Sequence, residues 1–297
     1  MNKIHFIVYT PAYVENSGGV MVLYNLARNL KELDHDVKII TFENMCPQNI
    51  LCNNYGTTKD ITDESIVIYP EVVRGNPLNA KRVIRWILCD LGKHTSVDIY
   101  KTWSKSDMVY YYSSYNSNNH KKLNYLFSLY INPLFRVINT EARQGSVFVV
   151  RKAQKFHKTV TKIHSSDSQC LSDDLSHDQL INVFNRVKYL FCYDPYTWVA
   201  FIAALCGCIP IVYPIDGVTK KQWMQTLYCR PYLEHVNKDY MYGVAYGLSD
   251  VKYAHDTIHL VKEEQDALVK FGEQTVTKMI DDMNDSRYQT VEDVFYN

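Results

Sequence analysis

Asp194, Tyr196 and Thr197 fall within five residues, Tyr-Asp-Pro-Tyr-Thr over 193–197, between an apolar run that ends at Cys192 and an almost wholly apolar segment over 198–205. A carboxylate, a phenol and a hydroxyl this close together can hold sugar hydroxyls or phosphate oxygens, and the carboxylate can stabilise positive charge developing at a carbon. A second group lies upstream, where Arg151, Lys152 and Lys155 follow the apolar run 146–150. Cations fixed at the end of a buried strand suit a diphosphate, because they stabilise the negative charge that such a leaving group takes up. The plainer alternatives are a solvated basic turn for 151–155 and a purely structural strand–helix–strand unit around Asp194. Gly18-Gly19 stands ahead of 20–33, where Leu23, Leu26, Ala27, Leu30 and Leu33 recur at helical spacing. Backbone N–H groups at such a helix start can approach an anion, although an ordinary tight loop needs the same glycines.

The elements that must position these groups alternate. Strands are expected over 3–10, 37–42, 66–70 and 107–113, with helices over 20–33 and from about 79 to 88. Residues 71–77 read as a turn, 114–122 as a polar loop and 141–145 as a boundary. A second series follows: strands over 146–150 and 159–164, a helix over 178–187, a strand over 189–192, a helix over 198–205 capped by Thr197 and closed by Gly207, and a strand over 209–213. Thr219 caps a helix through Trp223, and 239–248 and 253–283 read as helical. Two β-α-β series imply parallel sheets, which bind ligands in the loops at the carboxyl ends of their strands. The uncharged stretch 195–215 also admits a membrane span, but Gly207, Pro210 and Pro214 interrupt it, and a span needs about 20 continuous helical residues.

Composition narrows the function. Among 297 residues, 32 Lys and Arg balance 32 Asp and Glu, so no basic footprint points to nucleic acid. The opening apolar run is too short for a secretory leader. The eight cysteines form no Cys-x-x-Cys pair, and Cys206-x-Cys208 lacks a second half-site, so most of them read as buried thiols of a reduced compartment rather than a zinc site. No Gly-x-Gly-x-x-Gly marks a dinucleotide-binding oxidoreductase, and no Asp-x-Asp triplet marks a metal-dependent transferase.

Residues 193–208 resemble the carboxyl-terminal signature of GT-B glycosyltransferases of the retaining, Glu-x7-Glu type. Within them they are most similar to a rhamnosyltransferase-like branch that reads Tyr-Asp-x-Tyr/Phe-Thr and then Ala-Ala-Leu-Cys-Gly-Cys, here 203–208. Gly18-Gly19, Leu26-Ala27-x-x-Leu30 and His35 ahead of Val37 resemble the opening of the same enzymes, and Gly75-Asn76-Pro77-Leu78 with 83–88 resembles the branch more weakly. The resemblance implies an α/β fold of two facing Rossmann-like domains with a cleft between them: 1–142 on the acceptor side, 143–270 for the nucleotide-sugar, and 271–297 as a C-terminal helix packing back on the first domain. It implies metal-independent transfer of a sugar from a nucleotide-sugar to a glycan hydroxyl, in the cytoplasm, in polysaccharide or glycoprotein glycan synthesis. No cofactor is implied beyond that co-substrate, no transmembrane segment and no nucleic-acid partner; peripheral membrane association stays open. Gly18, Gly19, Arg151, Lys152, Lys155, Asp194, Tyr196 and Thr197 then bind the donor, and Asp194 takes the catalytic place. The pattern departs from the family at both acids. Asp194 is a shortened first acid, and Ile202 replaces the second, whose family role is to grip the nucleotide's ribose. The alternative is therefore a catalytically inactive glycan- or nucleotide-binding protein of the same fold.

Overall fold

His5–Thr10, an apolar run with almost no exposed side chain, forms β1, an interior strand of a parallel sheet. Strands covered on both faces read as continuous apolar runs. In the computed structural model the described residues are 3–15, 17–113, 124–157 and 159–296. The chain divides into two units, Met1–Tyr130 with Val269–Asn297, and Ile131–Leu268.

In the first unit β1 leads to α1 (Gly18–Glu32), then to β2 (Asp36–Thr41), β3 (Ile66–Pro70), β4 (Arg82–Ile87) and β5 (Met108–Tyr111). The five strands are parallel in the order β2-β1-β3-β4-β5. α1 buries Leu23, Tyr24, Leu26, Ala27 and Leu30. It stops in a Schellman turn: Asp34, at φ +63°, donates to the Lys31 carbonyl and His35 to that of Leu30.

The second unit contains β6 (Ser146–Val149), β7 (Gln169–Cys170), α2 (His177–Arg186), β8 (Tyr189–Cys192), α3 (Val199–Leu205), β9 (Ile209–Val212), α4 (Lys220–Met224), α5 (Arg230–His235), β10 (Ala245–Tyr246) and α6 (Val251–Thr257). Its strands are parallel in the order β7-β6-β8-β9-β10, which repeats the 2-1-3-4-5 order of the first unit. Ser176 and Gln179 form a reciprocal capping box at α2, as Thr219 and Gln222 do at α4. α3 ends as expected at Gly207, φ +81°, with Gly207 donating to the Ala204 carbonyl and Cys208 to that of Ala203. Arg143 braces these ends. Its guanidinium donates to the carbonyl of Phe184, in the last turn of α2, and at 2.6 Å to that of Cys206.

The chain leaves the second unit along α7 (Val261–Asn284), whose residues from Val269 on belong to the first. Thr275 Oγ1 both accepts from the Phe127 N–H and donates to its carbonyl, at 2.8 and 2.9 Å. β11 (Gln289–Thr290) then pairs antiparallel with β5, and α8 (Val291–Phe295) buries Val291 against Ile87, Trp103 and Val109. No helix among the described residues is long and apolar enough to cross a membrane.

Four sequence expectations need correction or fall outside the described residues. Residues 79–88 do not form a helix: 82–87 are β4, a central strand, and Asn76 ties the preceding turn by bonding both the N–H and the carbonyl of Ala80. The strand expected over 159–164 is absent there, and the edge strand comes later, at β7. The helix expected over 239–248 is extended chain leading to β10, with Gly243 and Gly247 both at positive φ. The loop expected over 114–122 lies outside the described residues.

Candidate functional site

In each unit the order 2-1-3-4-5 places the topological switch between the first and third strands. In open α/β sheets the crevice at the carboxyl ends of those two strands is where ligands bind.

In the second unit these strands are β6 and β8, with Val149 beside Cys192 and the Tyr193 N–H donating to the Val149 carbonyl at 2.9 Å. Two residues beyond each strand stand Arg151 and Asp194, so the two groups picked out from the sequence leave adjacent strand ends. The electrostatic surroundings of the buried Cys192 thiol include both of them: burial pushes that thiol up, Asp194 adds to the rise and Arg151 opposes it. Arg151 adopts φ +39°, an uncommon backbone for a residue with a side chain. Its Nε lies 2.8 Å from Oδ1 of Asp173, with the N–H not aligned on that oxygen, so the two make a close charge contact rather than a formed hydrogen bond. Lys152 and Lys155 are exposed on the turn that follows and carry no ion pair among the described residues.

Asp194 is 4% exposed. Its Oδ1 accepts from the Tyr196 N–H at 3.0 Å, while Oδ2 has no hydrogen bond among the described residues and is free to accept from a ligand. The loop is pinned on both sides. Trp223 Nε1 donates to the Pro195 carbonyl at 2.9 Å, and Nε2 of the buried His157 lies 3.0 Å from the Tyr193 carbonyl. Tyr196 packs edge-on against Phe156, and its hydroxyl accepts from Thr226 Oγ1 at 3.2 Å. Thr197 is buried, and its Oγ1 accepts only a long bond of 3.4 Å from the Val199 N–H. The structure thus brings Arg151, Asp194, Tyr196 and Thr197 together, with Lys152 and Lys155 on the adjoining turn. Ile202 is 4% exposed inside α3, so the place of the family's second acid is a packing position here.

Gly18 and Gly19 lie in the other unit, at the exposed start of α1. A Cβ on Gly18 would meet nothing within 4 Å, and one on Gly19 only Leu88 Cδ1, at 4.0 Å. The switch there lies between β1, followed by Pro11, and β3, followed by Glu71. Glu71 was read as part of a turn, yet it is 4% exposed, with Oε2 accepting from the Leu88 N–H at 3.0 Å. The missed signal is an acid directly after an apolar strand, one residue closer to it than Asp194 is to β8. Arg85 lies within β4. It is fully buried, donates to Asp107 at 2.8 Å and to the Gly75 carbonyl at 2.7 Å, and lies against the rings of Tyr69 and Trp103.

No family model and no curated protein matches the sequence. Among solved structures, an α-glucosyltransferase in complex with UDP and a 13-mer DNA containing a central A:G mismatch aligns over 99% of this chain and 98% of its own, at 9% identity and a TM-score of 0.50. The chain has the GT-B fold. Also similar are a glycosyltransferase from Rickettsia africae ESF-5 (12% identity, 94% of each chain, TM-score 0.46) and the glycosyltransferase SnogD from Streptomyces nogalater (9% identity, 94% of this chain and 99% of that one, TM-score 0.40). In GT-B terms each unit here is one Rossmann-like domain, and the last 29 residues, from Val269, belong to the first.

Proposed function

We propose that the chain is a glycosyltransferase that moves a sugar from a nucleoside-diphosphate sugar to a glycan hydroxyl. The observation that carries this reading is the second unit's switch point, where Arg151 and Asp194 leave adjacent parallel strands. The bond between the anomeric carbon and the diphosphate oxygen breaks with its electron pair on the oxygen. Arg151, Lys152 and Lys155 meet the charge that develops there, and fixed donors in such a place lower the barrier without reorganising. Asp194 Oδ2 holds a sugar hydroxyl or faces the carbon as it becomes positive. The Tyr196 hydroxyl and the Thr197 Oγ1 contact the donor beside it. With cations supplying the charge at the diphosphate, the transfer is proposed to need no metal. The resemblance to the rhamnosyltransferase-like branch, the cytoplasmic setting and the role in glycan synthesis belong to the same proposal.

The test is a thermal-shift screen against UDP, GDP, dTDP and CDP, with and without a divalent metal. UDP comes first because the α-glucosyltransferase of this fold was solved with it. A ligand bound only by the folded protein adds about 2.7 kcal/mol at a hundred times its Kd. One nucleotide is expected to raise the melting temperature without metal, and Arg151→Ala with Lys152→Ala to abolish the rise. A protein that responds to a nucleotide yet consumes no nucleotide-sugar with any acceptor is the inactive binding protein instead. One that responds to none overturns the donor site.

A further inference from the structure

The turn that carries the cations is stitched to the loop that carries Asp194 at two points, one on each side of that acid. On one side Nε2 of His157 lies 3.0 Å from the Tyr193 carbonyl. On the other the ring of Phe156 packs edge-on against Tyr196, with centroids 4.8 Å apart. All of these residues belong to the second unit. The turn itself is tightly closed. Ala153, fully buried in one cluster with Phe191 and Tyr193, donates to the Val150 carbonyl at 2.8 Å, and the His157 N–H closes back on the Ala153 carbonyl at 3.1 Å. Residues 151–157 therefore form one piece, and His157 is where its side chains hydrogen-bond the other half of the site.

A carbonyl can only accept, so Nε2 carries the hydrogen and Nδ1 is left with a lone pair. That Nδ1 is buried and has no partner among the described residues. The residue is 6% exposed, with its ring edge-on to Tyr213 at 4.8 Å. A buried acceptor left unpaired costs about 1–3 kcal/mol, and a phenylalanine would fill the space beside Tyr213 without that cost. Packing alone does not account for a histidine here, whereas the bond to Tyr193 does. The Tyr193 N–H is already held by the Val149 carbonyl, and the Cys192 carbonyl by the Tyr213 N–H. The Tyr193 carbonyl is the first group beyond that ladder. Its direction sets the peptide plane that leads into Asp194. A donor from elsewhere in the chain would satisfy the carbonyl equally well, but only one on this turn also fixes the cations against Asp194.

We propose that His157 is a positioning residue that sets the spacing between the cations of the 151–155 turn and the Asp194 carboxylate, so that one donor molecule meets both; this rests on the glycosyltransferase reading. The diphosphate engages Arg151, Lys152 and Lys155, and the sugar engages Asp194 Oδ2. A nucleotide without its sugar needs the cations only. His157 itself touches neither part of the donor. Its removal spares the nucleotide and costs what the sugar adds, because misplacement by about 1 Å can lower a rate about 100-fold.

The experiment compares wild type, His157→Phe and His157→Gln by isothermal titration with the nucleotide that shifts the melting temperature and with its nucleotide-sugar, and by turnover with a panel of hydroxyl acceptors. Phenylalanine keeps the ring and removes the donor; glutamine puts an N–H where Nε2 stands. His157→Phe is expected to bind the nucleotide as wild type does, to lose the extra affinity that the sugar confers, and to lose about 100-fold in kcat. His157→Gln is expected to recover most of both losses. With Asp194→Asn already present, His157→Phe is expected to cost no further sugar affinity, since groups that act as a unit are not additive. A role in stability alone would lower the melting temperature and leave the difference between nucleotide and nucleotide-sugar as in wild type. That result, an equal loss of both ligands, or independent losses from His157→Phe and Asp194→Asn overturns the proposal and leaves the transferase reading standing. If His157→Phe does not fold, His157→Asn takes its place with the same expectations, because its amide stops at the Nδ1 position, short of Tyr193. A wild type that binds the nucleotide but gains neither affinity nor turnover from the sugar has no spacing to be set, and also overturns it. A wild type that binds no nucleotide brings down the transferase reading and His157 with it, and the thermal-shift screen tells that outcome from the others.

Discussion

Arg151 Nε lies 2.8 Å from the Asp173 carboxylate, and Asp173 is 73% exposed while Arg151 is largely buried. The cation assigned to the diphosphate is therefore held by a carboxylate that is free to swing into water. A phosphate oxygen arriving at Arg151 must compete with it. Asp173→Asn removes the competing charge and is expected to tighten nucleotide binding several-fold, with the largest gain at low salt, where exposed charges are least screened. Exposed pairs contribute about 0–1 kcal/mol to folding, so the melting temperature of the unliganded protein should barely move. Isothermal titration of the variant against the nucleotide found by the screen checks both statements, and weaker binding in Asp173→Asn would remove Arg151 from the diphosphate site.

The Arg85–Asp107 pair tests the first unit's core. Burial pulls the guanidinium down and pushes the carboxyl up, each against the other's charge, and the contacts to the Gly75 carbonyl and to two aromatic faces keep the pair together. Removing one partner strands a buried charge, so Asp107→Ala should cost about 3–5 kcal/mol. Replacing both, as Arg85→Met with Asp107→Leu, should recover most of that loss. Urea denaturation of the three proteins reads the difference.

Much of this architecture can be read from residue patterns, and the failures have physical causes. The strands at 5–10, 66–70, 146–149 and 189–192 are legible because a buried parallel strand is a short apolar run bounded by breakers. The same rule misleads at 79–88. Val83, Ile84, Trp86 and Ile87 are all buried in β4, and a short apolar run broken only by Arg85 has no period to tell strand from helix. Gly243 marks the turn into β10 and Gly247 the turn out of it, and helical spacing hides both. In the candidate site, Arg151 and Asp194 were found because each follows an obvious strand, but their adjacency is set by the order β7-β6-β8, which local pattern does not carry. Glu71 was passed over because nothing around it is chemically unusual until β1 and β4 are placed on either side of β3.

Gly207 offers a backbone test. It holds φ +81°, and an added Cβ would lie 2.8 Å from Nη2 of Arg143, the group that bonds the Cys206 carbonyl. Gly207→Ala meets both a left-handed backbone cost of about 1–2 kcal/mol and displacement of Arg143 from the ends of α2 and α3. A fall of several degrees in the second unit's melting transition is expected, and Arg143→Ala should lower the same transition. If Gly207→Ala melts with wild type, the close approach of Arg143 is not part of the folded state in solution.

His35 gives a pH-dependent prediction with a fixed sign. Its ring is buried against Phe6, its Nδ1 accepts from the Ile4 N–H at 3.3 Å, and burial lowers its pKa in the folded protein. The unfolded chain, with an ordinary histidine pKa near 6.5, therefore takes up a proton that the folded chain resists. Where the unfolded state binds more protons, stability rises with pH, so the contribution of His35 is intact above about pH 7 and is lost as pH falls through the unfolded value. Carboxylates also titrate at lower pH, and comparison with His35→Gln separates the two. Glutamine can accept from the same N–H but carries no charge at any pH, so the melting temperature of wild type should drop below that of the variant progressively between about pH 7 and pH 5. Parallel pH curves for the two proteins would mean that His35 is protonated as easily in the fold as out of it.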